Sequence, residues 1–148
     1  MEERSLKEKS LEVNRHNPFV QYIGVEIVDV GTDYALLRLT IGPESLNPHG
    51  LVHGGALFTL ADNAAGCAAS TDGRAYVTQS GDIHFLRAQS SGAVLAEARV
   101  RHRGRSTVLI DVSLTGEDDK LMATACFTHF CVDGSEMARN SPAMALRS

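Results

Sequence analysis

The sequence has no tryptophan, and its few phenylalanines and tyrosines make up only 5% of its 148 residues. That is too little for a platform on which nucleobases stack. Positive charge is also short: 14 Lys and Arg stand against 18 Asp and Glu, leaving a net charge of −4. This argues against a general nucleic-acid binder. No uninterrupted apolar run reaches the roughly 18 residues that a membrane-spanning helix needs, so no membrane partner is expected. The start, Met1-Glu2-Glu3-Arg4-Ser5-Leu6-Lys7-Glu8-Lys9, is too charged for a secretory signal. Cysteines are few and odd in number: Cys67, Cys126 and Cys131, with no metal-ligand spacing. They read as reduced thiols of a cytoplasmic protein, with no metal site. Cys126 and Cys131 are five apart, so on one strand they point to opposite faces and cannot pair without distortion.

An apolar fraction of 43% with 22% charged residues is ordinary for a globular chain, and the length suits one domain with a sizeable core. Residues 1–17 read as a charged leader, 18–132 as the folded domain, and 133–148 as a polar tail, poorly ordered or helical only against a partner. Within the domain, 19–23 reads as a short helical turn ended by Gly24. Alternating patterns predict strands over 25–30 and 34–41, then over 76–86, 94–102, 106–115 and 121–132. The last four, linked by short Gly-containing turns, suggest an antiparallel meander. One long helix is predicted over 53–70. Its small residues (Ala61, Ala64, Ala65, Gly66, Ala68, Ala69) imply close approach on every face. The order predicts an α+β domain, a curved antiparallel sheet wrapped around one central helix.

The most informative stretch opens that helix: Leu46-Asn47-Pro48-His49-Gly50-Leu51-Val52-His53-Gly54-Gly55-Ala56-Leu57-Phe58-Thr59-Leu60-Ala61-Asp62-Asn63. Glycines at a helix start leave backbone N–H groups free at its positive end, a place to hold a developing negative charge. Asp62 is the one ionisable group among Leu, Phe, Ala and Thr, and a carboxylate placed so needs a partner or a task. Together these features suggest an oxyanion site and a general base or nucleophile. His49 and His53 are four apart, but His49 lies in a Pro/Gly loop, which removes the helical metal-binding geometry.

The pattern Asn-x-x-Gly-x-x-His-Gly-Gly followed by Leu-Ala-Asp, here Asn47, Gly50, His53, Gly54, Gly55, Leu60, Ala61 and Asp62, resembles the signature of the hotdog-fold acyl-CoA thioesterases. The resemblance is to the PaaI-like group within the hydroxybenzoyl-CoA thioesterase superfamily. It extends through Asp82-Ile83-His84-Phe85-Leu86-Arg87 and Arg103-Gly104-Arg105, over roughly residues 18–132. It implies a hotdog fold and hydrolysis of acyl-CoA, aromatic (such as phenylacetyl) or medium to long aliphatic, with coenzyme A as part of the substrate and no cofactor. It also implies sites shared across a homodimer that pairs into a homotetramer. In residue terms, Gly54 N–H would meet the thioester carbonyl, Asp62 would act as base or nucleophile, and Asn47 would help place substrate or water. A strand hydroxyl, falling on Thr78 with Ser80 as the alternative, would support the water. His53 and Gly55 would lie beside the substrate, with Phe85 and Leu86 among its apolar neighbours.

The spacing adds a constraint of its own. Gly54 and Asp62 are eight positions apart, roughly 12 Å along a helix at about 1.5 Å per residue. A reacting carbon must lie within about 3 Å of both groups. Asp62 and Gly54 can therefore serve one site only if they come from two copies of the chain. For the phosphate end of coenzyme A, Arg99, Arg101, Arg103 and Arg105 share one parity, so a regular strand would put them on one face. Arg87 and the turn Arg103-Gly104-Arg105-Ser106 are the candidate contacts. Two other functions stay open: an acyl-thioester hydratase or dehydratase, and a non-catalytic acyl-CoA-binding protein.

Overall fold

The computed structural model describes residues 3–147. Met1 and Glu2 of the predicted leader and Ser148 of the predicted tail lie outside the described residues. The leader is a helix, α1 (Leu6–Arg15), started by a capping box in which Ser5 and Glu8 exchange hydrogen bonds. A short α2 (Pro18–Ile23) follows, with proline at its first position. It ends at Gly24, whose φ of 91° no side-chain-bearing residue adopts without strain. A Cβ there would also lie 2.9 Å from the Thr40 carbonyl oxygen.

Six strands form one sheet: β1 (Val25–Gly31), β2 (Tyr34–Thr40), β3 (Tyr76–Phe85), β4 (Ala93–Arg103), β5 (Thr107–Thr115) and β6 (Leu121–Cys131). Every pairing is antiparallel, in the order β1-β2-β4-β5-β6-β3. The predicted meander is thus only partly present. β4, β5 and β6 follow one another, but β3 does not pair with β4. It adds beyond β6 at the sheet edge, and β4 pairs with β2 instead. The segment after Arg87 leaves β6 and meets the loop before the central helix, where Val52 N–H donates to Gln89 O. That connection lets β2 and β4 close over the helix, which a simple hairpin would not.

The central helix α3 (Gly54–Ala69) lies against the concave face. Ala56, Leu57, Leu60, Ala61, Ala64, Ala65, Cys67, Ala68 and Ala69 are buried on it. Against them pack Leu37, Leu39, Val94, Ala96, Ala98, Ile110, Leu114 and Phe127 from the sheet. The alanines allow the close approach that their size predicts. α1 packs on β1, and the tail also folds: α4 (Glu136–Arg139) and α5 (Pro142–Arg147) are helical, and α5 packs against α1 of the same chain. The tail therefore finds its partner within the molecule. Among the described residues, no helix is long and apolar enough to cross a membrane.

Candidate active site

The start of α3 is built by the loop before it. Asn47 Oδ1 accepts the N–H groups of His49 and Leu51 at 2.9 and 3.1 Å, curling the loop into an Asx turn. His53 is the N-cap: its Nδ1 accepts the N–H of Gly55 at 2.8 Å. A side chain on Gly55 would stand 3.0 Å from that Nδ1, so glycine allows this ring to cap. Because His53 satisfies Gly55, the N–H of Gly54 is left without a hydrogen-bond partner among the described residues. It points from the positive end of a sixteen-residue helix. The ring of Phe85 lies beside it, with Cζ 3.3 Å from where a Gly54 Cβ would be.

Asp62 lies two turns further along α3, over the sheet. Thr78 Oγ1 donates to its Oδ1 at 2.7 Å. His129 Nε2, from β6, stands 3.4 Å from the same oxygen. Oδ2 has no hydrogen-bond partner among the described residues. Thr78 and His129 are register partners on β3 and β6, so two neighbouring strands present polar groups to one carboxylate oxygen. A β-bulge separates Thr78 from Ser80. Thr78 pairs with His129 and Ser80 with Thr128, which leaves Gln79 as an extra residue. The bulge turns Ser80 to the other face, where its hydroxyl meets Thr128. Thr78 and Ser80 therefore do not share a face, contrary to their spacing.

A second bulge breaks the arginine stripe. Val100 pairs with Ile110 and His102 with Leu109, leaving Arg101 extra. Beyond it Arg103, opposite the buried Val108, faces the helix. Its guanidinium ties the end of α3 to the β1–β2 turn. Nη1 donates to Ala69 O at 2.8 Å and Nη2 to Ala68 O at 3.3 Å. It also binds Asp33 Oδ1 at 2.7 Å and Asp72 Oδ2 at 2.8 Å. These bonds satisfy helix C-terminal carbonyls with a cation, a favourable match to the helix dipole. Arg103 is a structural strut, and the expected single-face stripe does not form. Arg99 pairs with Glu97 and lies over the Tyr34 ring, and Arg101 stands 3.6 Å from Asp111. The turn Gly104-Arg105-Ser106 is held by Arg74, which donates to the carbonyls of Arg105 and Gly104. The Arg105 side chain and Arg87 are exposed, as are Phe85 and Leu86.

Burial pushes the Asp72 carboxyl up, but hydrogen bonds from Tyr76 and Arg74 and the charge of Arg103 outweigh it and hold it below its usual value. Two hollows flank α3. An open groove of about 370 Å³ at its start is lined by Phe19, Ile23, His53, Gly55, Ala56 and Thr59. A cavity of about 190 Å³ between α1, α3 and α5 is lined by Asn14, Asn63, Gly66, Cys67, Tyr76 and Arg147 among others.

The site residue that sequence reasoning missed is His129. A lone histidine at an inward strand position reads as core, and only the register that places it beside Thr78 shows otherwise. The structure thus brings Asp62, Thr78 and His129 together, and Gly54, Gly55, His53 and Phe85 together, in two clusters along one helix.

Comparison with known proteins finds relatives of this chain. The family model of the thioesterase superfamily matches residues 49–123. The acyl-coenzyme A thioesterase PaaI of Escherichia coli K12 is 35% identical over 102 residues, covering 68% of this chain and 73% of its own. The solved structure of E. coli PaaI, from the phenylacetic acid degradation operon, superposes with a TM-score of 0.79 at 29% identity, covering 88% of this chain and 99% of its own. A Streptococcus pneumoniae thioesterase solved with coenzyme A superposes with a TM-score of 0.76 at 26% identity, covering 83% and 98%.

Proposed function

The chain belongs to the thioesterase superfamily, as a PaaI-like hotdog protein and a thioester hydrolase, and we propose that it cleaves acyl-CoA at sites shared between two copies. The observation that carries this reading is the pair of groups on α3: among the described residues, a Gly54 N–H with no partner, and an Asp62 carboxylate with one oxygen held and the other open. They lie on one helix, eight residues apart, so each site takes Gly54 from one copy and Asp62 from the other. The exposed outer edge of β3 supports that pairing. Its unpaired backbone groups are the natural seam for a second sheet. A dimer is the minimum this scheme needs, and a homotetramer is the assembly the family resemblance favours.

In this reading the thioester carbonyl oxygen sits on Gly54 N–H, which stabilises its negative charge as the carbon becomes tetrahedral. Along one route Asp62 takes a proton from water, and the water oxygen bonds to the carbonyl carbon. The C–S bond then breaks, and coenzyme A leaves as a thiolate that takes up a proton. Along the other, a carboxylate oxygen attacks and expels the thiolate, giving a mixed anhydride that water then cleaves. Both give the free acid and coenzyme A. The apolar groove beside His53 and Gly55 suits the acyl or pantetheine chain, with Phe85 and Leu86 as further walls. Arg87 and Arg105 are the cations left for the phosphates, while Asn47 acts through the loop it shapes. An aromatic acyl group such as phenylacetyl is the first substrate to try, and the cytoplasm is the compartment this reading assigns. The test is free-thiol release from a panel of acyl-CoA esters, wild type beside Asp62→Ala. Multiple turnovers lost in the variant support the reading. No turnover on any ester, or full turnover by the variant, overturns it.

A further inference from the structure

His129 is the buried polar side chain whose presence the fold does not require. It is 3% exposed, and neither ring nitrogen has a hydrogen-bond partner among the described residues. The other inward positions of β6 carry Ala123, Ala125 and Phe127, all buried and apolar. Leaving a buried donor or acceptor unpaired is costly, so a leucine or methionine would serve packing better. The ring nevertheless has a shaped place. Phe127 meets it edge-on, with centroids 6.3 Å apart. Gly66 of α3 lies against it: a Cβ there would stand 3.5 Å from Cε1, an ordinary packing distance. What it faces is Asp62, with Nε2 3.4 Å from Oδ1.

That distance is slightly beyond the usual 2.7–3.2 Å of an N–H···O hydrogen bond, and such bonds often tighten only once substrate is bound. The same oxygen already accepts Thr78 Oγ1. A hydroxyl bonded to Oδ1 and a ring nitrogen 3.4 Å from it, on adjacent strands at one level of the β3–β6 ladder, thus face the same oxygen, and among the described residues no group is bonded to Oδ2. A carboxylate free to rotate would exchange its oxygens; one held by a hydroxyl on one strand and a buried ring on the next cannot.

We propose that His129 is a positioning residue: its Nε2–H holds Oδ1 of Asp62 and thereby fixes Oδ2 as the oxygen that meets water or the thioester carbon. This rests on the reading of Asp62 as the reacting carboxylate, and it applies equally to the base and the nucleophile routes.

The test combines kinetics with a measurement that needs no turnover. His129→Leu is expected to lower kcat roughly tenfold to a hundredfold, at unchanged KM and with a melting temperature no lower than wild type. His129→Gln, whose amide N–H₂ can reach the same oxygen, recovers most of that loss. In an Asp62→Asn background, His129→Leu causes no further loss. Separately, the His129 ring ¹⁵N signals, identified by their absence from His129→Gln, shift on Asp62→Ala. Wild-type kcat in His129→Leu, a Gln variant no better than Leu, or ring signals indifferent to Asp62→Ala each overturn the proposal. A wild type inactive on every ester would instead refute the thioesterase reading, while the ring signals would still report whether His129 and Asp62 are joined.

Discussion

Gly81 and Phe127 face each other across the β3–β6 ladder, and the Phe127 ring fills the space that a side chain on Gly81 would take. Phe127 is fully buried and also packs edge-on against Phe58 of α3. A single methyl at Gly81 must therefore displace a ring wedged between sheet and helix. Gly81→Ala is expected to destabilise the fold by about 2 kcal/mol, and pairing it with Phe127→Leu should recover part of that. Urea unfolding of the single and double variants checks this, and an undiminished midpoint for Gly81→Ala would refute it.

Arg103 makes its bonds to Asp33, Asp72 and the last carbonyls of α3 with a planar fork. A lysine can reach one of these groups but not all of them. Both Arg103→Lys and Arg103→Met should lower stability, the latter by about 2 kcal/mol, with lysine intermediate. Thermal melts compare the three. Equal melting temperatures would mean that the strut carries no weight.

Burial, with the Tyr76 hydroxyl's hydrogen bond to Asp72 and that residue's charge, pushes the phenol up to about 12. A phenol raised above its ordinary value of about 10 contributes stability that is complete below that pH and is lost as pH rises through the folded value. Asp72 works the other way: its carboxyl is held below the usual range, so its contribution exists above about 3.9 and fades as pH falls through the lower folded value. Tyr76→Phe should lose the late-ionising component of the tyrosine absorbance titration and the matching alkaline fall in stability. A titration unchanged by Tyr76→Phe would contradict this.

Thr78 and Ser80 should separate cleanly in kinetics. Thr78→Val removes the hydroxyl on Asp62 and is expected to lower kcat by about tenfold or more. Ser80→Ala, on the other face, should leave kcat within about twofold. Thiol-release assays at matched oligomeric state distinguish the two, and a larger loss in Ser80→Ala would reverse the assignment.

Cys67 is buried beneath α5, and desolvation pushes its thiol up to about 11. It should react with a disulfide dye only on unfolding, because the thiolate is the reactive form. Native and denatured thiol counts test this, and prompt labelling of Cys67 in the native protein would rule it out.

The parts legible in the sequence were those set by local chemistry. The small residues of α3 announced a helix that the sheet approaches closely, although the stripe of Gly55, Thr59, Asp62, Asn63 and Gly66 is not buried. The Gly54–Asp62 spacing placed both groups on that helix, and alternation located every strand. What stayed hidden depends on register. Nothing in Val100-Arg101-His102 shows that Arg101 is surplus, so Arg103 read as a surface cation rather than a strut. Nothing around Gln79 shows that Thr78 and Ser80 part company. The edge position of β3 follows from which strands close over the helix, a long-range matter. His129 was invisible because its role exists only beside Thr78 and Asp62, far away along the chain.

The extra residue at Gln79 also bears on how such a site can change over generations. Were Gln79 drawn into the ladder instead of left out of it, either Tyr76 and Thr78, or Gly81, Ile83 and Phe85, would turn away from the helix; its excision would leave Thr78, Ser80 and Gly81 opposite His129, Thr128 and Phe127 with every face kept. Point substitutions alter what a position carries, whereas a one-residue slip of register here would reassign a whole set of positions at once. Drift at this strand should therefore tolerate almost any residue at 79, and its loss more readily than a loss further along the strand.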